Sequence, residues 1–429
     1  MAEAFEKQAV FRRLGSSVQT AAEAKGARIV IAASGTTDIG SARCAVNQDT
    51  YMALDVGGGN VVLGVFDGHG KETGHIAAEA AKAFFTSHFE SPEALAAIEA
   101  QPEAELRSLF AQCHAHLYSV FQAHYATLGL CTRDDSLNGR SFLLQRKGPS
   151  QPYTCVQGGT TATLAILLHG TRLLVANVGD SSALLAGAGS VRITPLHALA
   201  DAPIYCPHAP SASPNPCEIE SSNNSNNNNN SDTLHHLISG DHSAESRVEF
   251  DRVITSDVQG LQFLYDAPCV TNRLVRVPIF TKNSAGDIVK SAGGRYYKNV
   301  RNEWASMVAA PIDAAFADCL AFTRSLGDFH LHAHGLSWQP DVLDISLFDD
   351  PTSCSDVAIV LATDGVWDVW HYDELAQFVL QTKDEGDAPE IDAKARARRL
   401  LQENLAKAHT IFGDQADNMT AVLCYLSRA

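Results

Sequence analysis

No apolar run in this chain approaches the ~20 residues that a bilayer-spanning helix needs, so no membrane segment is expected. The segment Met1–Arg13 sets Glu3, Glu6, Lys7, Arg12 and Arg13 among single apolar residues and lacks the apolar stretch of a secretory signal. The ten cysteines include no Cys-x-x-Cys pair and no cluster with histidine, which removes the usual zinc and dithiol signatures. They read as reduced core thiols, and the expected compartment is the cytoplasm, the nucleus or both. Basic residues are in deficit: 32 Lys+Arg against 49 Asp+Glu leave a formal charge of −17. A surface of that sign cannot displace counterions from nucleic acid, which excludes general nucleic-acid binding. No period of roughly 20–50 residues repeats, against a solenoid or propeller. No heptad or self-complementary stripe is evident, so a monomer is the default.

What is present is core material. The 429 residues are 45% hydrophobic and 19% charged, the balance of a globular protein. Arg28–Ala33, Val61–Phe66, Thr161–Leu168, Arg172–Asn177, Val357–Ala362 and Thr420–Leu426 are short β-rich runs. His169-Gly170-Thr171 between two of them predicts a tight antiparallel hairpin. Ile76, Ala80 and Phe84 mark one helix face, and Leu106, Leu109, Phe110, Cys113, Leu117 and Phe121 mark a longer one. Leu375, Phe378 and Val379 suggest another helix. Leu400, Leu401, Leu405 and Ala408 suggest the last, with Asp392 near its N-cap. Helices in pairs between groups of strands predict an α+β fold, with sheets packed together and helices outside. Residues 200–235 hold five prolines and the Ser/Asn tract Ser221–Ser231, and read as a disordered surface insertion.

Acids gather at the strand ends. Val61–Phe66 runs into Asp67-Gly68-His69-Gly70, and Val357–Ala362 into Thr363-Asp364-Gly365-Val366-Trp367-Asp368. Arg172–Asn177 leads to Gly179-Asp180-Ser181, Asp417 precedes the last strand, and Asp49 precedes Thr50–Leu54. A lone Asp-Gly is a common turn. A converging set of carboxylates is different, because like charges repel and need cations between them. Aspartate and backbone oxygens suit hard divalent ions, Mg²⁺ or Mn²⁺.

Six motifs then occur in order: Val65–Gly70, Gly158-Gly159-Thr160-Thr161-Ala162, Asn177–Ser181, Thr323-Arg324-Ser325-Leu326-Gly327-Asp328, Ala362–Asp368 and Asp417-Asn418-Met419-Thr420. With them the chain closely resembles the type-2C, metal-dependent serine/threonine protein phosphatases from about Arg28 to Leu426. The resemblance implies a four-layer α-β-β-α sandwich, two antiparallel sheets flanked by helices, with the metal pair at one end. It implies a phosphatase domain over 28–429 after an N-terminal extension 1–27, with the insertion at 200–235 and a flap at 236–318. Asp67 would bridge two ions, Gly68 would offer its carbonyl, and Asp364 and Asp417 would complete direct ligation. Asp49 would hold coordinated waters, and Asp180 and Asp368 would belong to a third, weaker position. A bridging hydroxide would attack the phosphate of phosphoserine or phosphothreonine proteins, with His69 as general acid to the leaving oxygen. No Cys-x5-Arg loop supports a phosphocysteine route.

The first motif departs from the family pattern. Cys44 stands where the family usually carries an arginine, and Gln48 replaces the glutamate before Asp49. Arg43, one residue earlier, is the candidate phosphate anchor, since an arginine fork suits phosphate. The competing reading, a phosphatase-like regulatory or binding module with lost catalysis, rests on these two changes. Arg324 and Asp328 read as a structural pair near the site. Thr161 reads as close packing and Trp367 as a core anchor. In the flap, Arg295, Lys298 and Arg301 with Tyr296 and Tyr297 form a cluster that either meets a phosphopeptide or faces solvent.

Overall fold

Val61–Phe66 reads as an unbroken apolar run because both faces of its strand are covered. In the computed structural model, Val61, Leu63 and Val65 point into a core between two sheets, where they meet Ile31, Val175, Ile359 and Val422. Val62 and Phe66 point the other way, onto Ala77, Phe85 and Phe110 of two helices. The alternation follows from the two-residue period of a strand. The residues described are 17–24, 27–41, 46–187, 191–196, 235–258, 260–266, 276–348, 356–381 and 392–428.

Core strands are numbered in chain order: β1 (Ser17–Ala24), β2 (Ala27–Asp38), β3 (Asp49–Gly57), β4 (Asn60–His69), β5 (Ala162–Leu168), β6 (Arg172–Val178), β7 (Ser182–Ala186), β8 (Arg192–Pro195), β9 (His235–Leu237), β10 (Asp341–Ser346), β11 (Val357–Ala362) and β12 (Met419–Arg428). One sheet runs β1-β2-β12-β11-β7-β9. The other runs β8-β10-β6-β5-β4, with β3 also paired to β4. All these pairings are antiparallel. Helices α1 (Gly74–Phe89), α2 (Pro92–Ala100) and α3 (Pro102–Thr127) cover the second sheet. Further along lie α4 (Arg247–Thr255), α5 (Tyr372–Leu380) and α6 (Ala393–Phe412), of which α5 and α6 cover the first sheet. The layers are therefore α-β-β-α, the predicted architecture.

Local predictions hold in detail. The β5–β6 hairpin closes with Thr171 N–H donating to Leu168 O at 3.1 Å. His169 and Gly170 both take positive φ, 52° and 68°, as a tight hairpin turn requires. Asp392 caps α6 by accepting from the N–H groups of Lys394 and Ala395. Two findings differ. The buried face of α1 is Ala77, Ala78, Ala81 and Phe85, with Ile76, Ala80 and Phe84 at its flank, so the face is rotated by one residue from the predicted one. The stretch set apart as an N-terminal extension contains β1, which pairs with β2 from Ser17↔Ser34 to Ala24↔Ala27. Its Ala-rich sequence carries little β-propensity, and pairing plus the burial of Val18 and Ala22 decide its state.

The described part of residues 236–318, the expected flap, is folded. Helix α4 and a small sheet, which includes Gln262–Tyr265 and Ser306–Ala309, enclose their own core of Val253, Phe263, Phe280 and Val308. Most of the predicted insertion, with Ser221–Ser231, lies outside the described residues; its last residue, His235, opens β9. No helix among the described residues is long and apolar enough to cross a membrane.

Candidate metal centre

The antiparallel pairing of β3 with β4 sets Asp49 directly opposite Asp67. Asp180 follows β6 through Gly179, whose φ of 94° only glycine adopts freely. Asp364 opens a short helical turn, Asp364–Trp367, immediately after β11, and Asp417 stands two residues before β12. One carboxylate oxygen each from Asp67, Asp180 and Asp364 lies within 4.8 Å of the others.

Hydroxyl groups hold these ends in place. Thr161 Oγ1 accepts from Asp67 N–H at 3.0 Å and stands 2.7 Å from Ser181 Oγ, which couples β4 to the loop carrying Asp180. Thr363 Oγ1 donates to Asp49 Oδ2 at 2.7 Å and accepts from Thr420 N–H at 3.0 Å, which ties one sheet to the other at the site. Gln48 donates from Nε2 to Gly70 O at 2.8 Å, and its N–H donates to Asn418 Oδ1 at 2.8 Å. It thus serves as a structural tie between loops. A Cβ at Gly68 would collide with the carbonyl oxygens of Gly74 and Gln48, so only glycine lets α1 start this close. Trp367 is buried and donates to Ala362 O at 2.7 Å, a core anchor as expected.

The electrostatics are those of an acid cluster that Lys298 and Arg301 offset only in part. Burial first, then the charges of Asp49, Asp364, Asp180 and Asp417, push Asp67 well above the ordinary carboxylate range. Asp364 is raised in the same way by burial, Asp180, Asp368 and Asp417, against the opposing charge of Lys298. Burial pushes Asp49 up to about 7, despite its bond from Thr363. Burial pushes Asp368 up to about 6, against Lys298 and Arg301. Asp417 is raised by burial and by Asp180. Asp180 Oδ1 is buried without a hydrogen-bond partner. Carboxylates alone, one with an orphaned oxygen, are the donor set of a hard divalent cation, so the residues fit Mg²⁺ or Mn²⁺.

His69 leaves β4 beside this cluster, its ring 21% exposed. Its Nε2 lies 2.7 Å from Asp328 Oδ2, while its Nδ1 has no partner. Burial opposes charging the ring, but Asp328, by charge and by hydrogen bond, outweighs it and raises the pKa above 6.5.

Asp328 corrects an expectation. It does not pair with Arg324; it serves His69 and accepts from Ser325 Oγ at 2.6 Å. Arg324 instead meets Glu249 through Nε at 3.1 Å and Asp341 through Nη1 at 2.8 Å. The motif placed Asp328 near the site, but its partner lies 259 residues away and carries no local signal. The flap cluster also resolves. Tyr297 stacks on Trp304 with centroids 4.1 Å apart, Tyr296 donates to Asp266, and Arg301 pairs with Glu303 at 2.9 Å. Lys298 borders the acids and Arg295 is exposed. Arg43 and Cys44 lie outside the described residues.

The comparisons agree with this architecture. A family profile described as Protein phosphatase 2C matches residues 62–202 and 289–410, more than half of the chain. The chain is 36% identical over 112 residues to Probable protein phosphatase 2C 65 of Arabidopsis thaliana, a match covering 26% of each. It is 38% identical over 106 residues to Probable protein phosphatase 2C 38 of Oryza sativa subsp. japonica, covering 24% of this chain and 20% of that one. These matches span between a fifth and about a quarter of each curated relative. The fold is similar to the crystal structure of serine-threonine phosphatase 2C from Toxoplasma gondii, with TM-score 0.54, 16% identity and coverage of 96% of this chain and 99% of that one. With its profile match spread over both halves of the sandwich, this chain belongs to the protein phosphatase 2C family.

Proposed function

We propose that the chain is a Mg²⁺- or Mn²⁺-dependent protein phosphatase that hydrolyses phosphoserine and phosphothreonine in protein substrates. The observation that carries this reading is the meeting of Asp67, Asp180 and Asp364 within 4.8 Å, where burial and neighbouring carboxylates raise the pKa of Asp67 and of Asp364. In this reading Asp67, the Gly68 carbonyl, Asp364 and Asp417 hold two ions. Asp49, tied to Thr363, would orient water on them, and Asp180 and Asp368 would line the remaining side of the cluster. When bound, the ions supply an activated water at neutral pH and offset the charge of the phosphate monoester.

The remaining work falls to the chain itself. A seryl or threonyl oxygen leaving phosphorus needs a proton. His69 is protonated to higher pH than a free imidazole because Asp328 stands at Nε2. Its unpartnered Nδ1 is the nitrogen left to donate. Thr161 and Ser181 hold the backbone of Asp67 and the Asp180 loop in fixed relation, so the ligand geometry is set before an ion arrives. We also propose that one catalytic domain carries the activity and that it includes β1, which is paired into the first sheet.

Release of phosphate from a phosphothreonine peptide, measured with Mn²⁺ and with chelator, tests the reading. Turnover with Mn²⁺ and its loss in Asp67→Ala is the expected result. A folded protein with no metal-dependent turnover would overturn it.

A further inference from the structure

The flap lays a cation beside the acid cluster. Residues 298–303 form a tight reversal, with Lys298 N–H donating to Glu303 O at 2.8 Å and Asn302 at φ 60°. The reversal is fastened to the turn that carries Asp364 and Asp368. Asn299 Nδ2 donates to Asp368 Oδ1 at 3.2 Å, and Val300 N–H donates to Asp368 O at 3.1 Å. Arg301 donates to the carbonyls of Trp367 and Trp370, pairs with Glu303, and stacks over the Tyr372 ring at 4.8 Å. Arg301 is thus committed to docking the flap.

Lys298 has a different setting. It shares a cavity of about 330 Å³ with Asp180, Asp364 and Asp368, at the seam between flap and sandwich. Its side chain is 28% exposed, and its Nζ stands 4.0 Å from Glu303 Oε2, too far for a hydrogen bond. Glu303 is already engaged by Arg301 and by Asn299, the latter at 2.7 Å. Burial works against the ammonium. Asp368, Asp180, Glu303 and Asp364, in that order, outweigh it and hold its pKa above the usual lysine range.

We propose that Lys298 is a positioning residue that supplies the positive charge on the Asp180–Asp368 side of the centre in place of a third divalent ion, so that the protein works with two. This rests on the metal-dependent reading above. An ammonium tethered by the flap is present whatever the free metal concentration. It also repels a divalent cation approaching the same carboxylates. The flap then contributes to the metal centre itself, not only to its rim.

The test counts ions by calorimetric titration of metal-free protein with Mn²⁺. Wild type and Lys298→Arg should bind two, and Lys298→Ala and Lys298→Gln should bind a third, weaker ion. Thermal melting of each metal-free variant checks folding, and Lys298→Gln keeps most of the side chain if the alanine variant is unstable. Equal ion counts in wild type and both neutral variants, or three ions in wild type, would overturn the proposal alone. An unchanged count with a raised KM for phosphopeptide would make Lys298 a substrate contact and also overturn it. No Mn²⁺ bound by any of the four proteins would overturn the metal-dependent reading, and the proposal with it.

Discussion

His69 Nε2 stands 2.7 Å from Asp328 Oδ2, joining the end of β4 to a motif 259 residues further along the chain. The carboxylate is itself fixed by Ser325 and by a backbone held at φ 45°. The pair favours the charged form of a half-buried imidazole where burial alone would disfavour it.

The first prediction follows from that pair. The proton on His69 is retained below its raised pKa and lost as pH rises through it. Asp328→Asn removes the attraction and leaves burial in control, so the pKa falls. The alkaline limb of the kcat–pH profile should move to lower pH, and His69→Gln should lower kcat by about 10²–10⁴-fold. An unmoved limb in Asp328→Asn would remove His69 from the role of acid.

A second prediction concerns stability and pH. Asp49, raised from 3.8 to about 7, stabilises the metal-free fold below its unfolded pKa, and that contribution is lost as pH rises through about 7. Asp67 and Asp364 are raised too and act in the same direction. The buried His114 and His332 have lowered pKa values and act in the opposite direction. The Mn²⁺-induced rise in Tm cancels their share. That rise should be larger at pH 8 than at pH 5.5 by scanning fluorimetry. An equal rise at both would mean that the carboxylates do not take up the ion.

The third prediction tests the join between flap and sandwich. Arg324 and Glu249 are only 3% and 2% exposed, and Asp341 and Arg252 extend the network. Burial would raise the Glu249 pKa, yet Arg324 and Arg252 hold it well below the usual range. Glu249→Ala takes the carboxylate from Nε and Nη2 of the buried Arg324 guanidinium and should cost about 3–5 kcal/mol in urea unfolding. A loss below about 1 kcal/mol, the scale of exposed pairs, would contradict this.

Much of the acid cluster is legible in the sequence because of where it sits. Asp67, Asp180 and Asp364 each end or follow an apolar run that is continuous because helices and a second sheet cover both its faces. A change from apolar to acidic at such a boundary is a local signal. β1 had none, because Ala-rich Ser17–Ala24 becomes a strand only by pairing with β2. The α1 face was misplaced by one residue because alanines fill its buried positions and weaken the periodic contrast. Nothing local separates Lys298 from Arg301; the docking of Asn299 and Val300 on Asp368 does. Asp328 and Glu249 find their partners across long sequence distances that no spacing rule reaches.

In the proposed reading the strand-end aspartates hold divalent ions, and those ions drive phosphoester hydrolysis. Phosphate release from a phosphothreonine peptide, followed while metal-free protein is titrated with Mn²⁺, tests it most directly. Turnover should be absent in chelator, should rise in step with ion occupancy, and should stay absent in Asp67→Ala at any Mn²⁺ concentration. Undiminished turnover in chelator, or wild-type rates from Asp67→Ala, would contradict it.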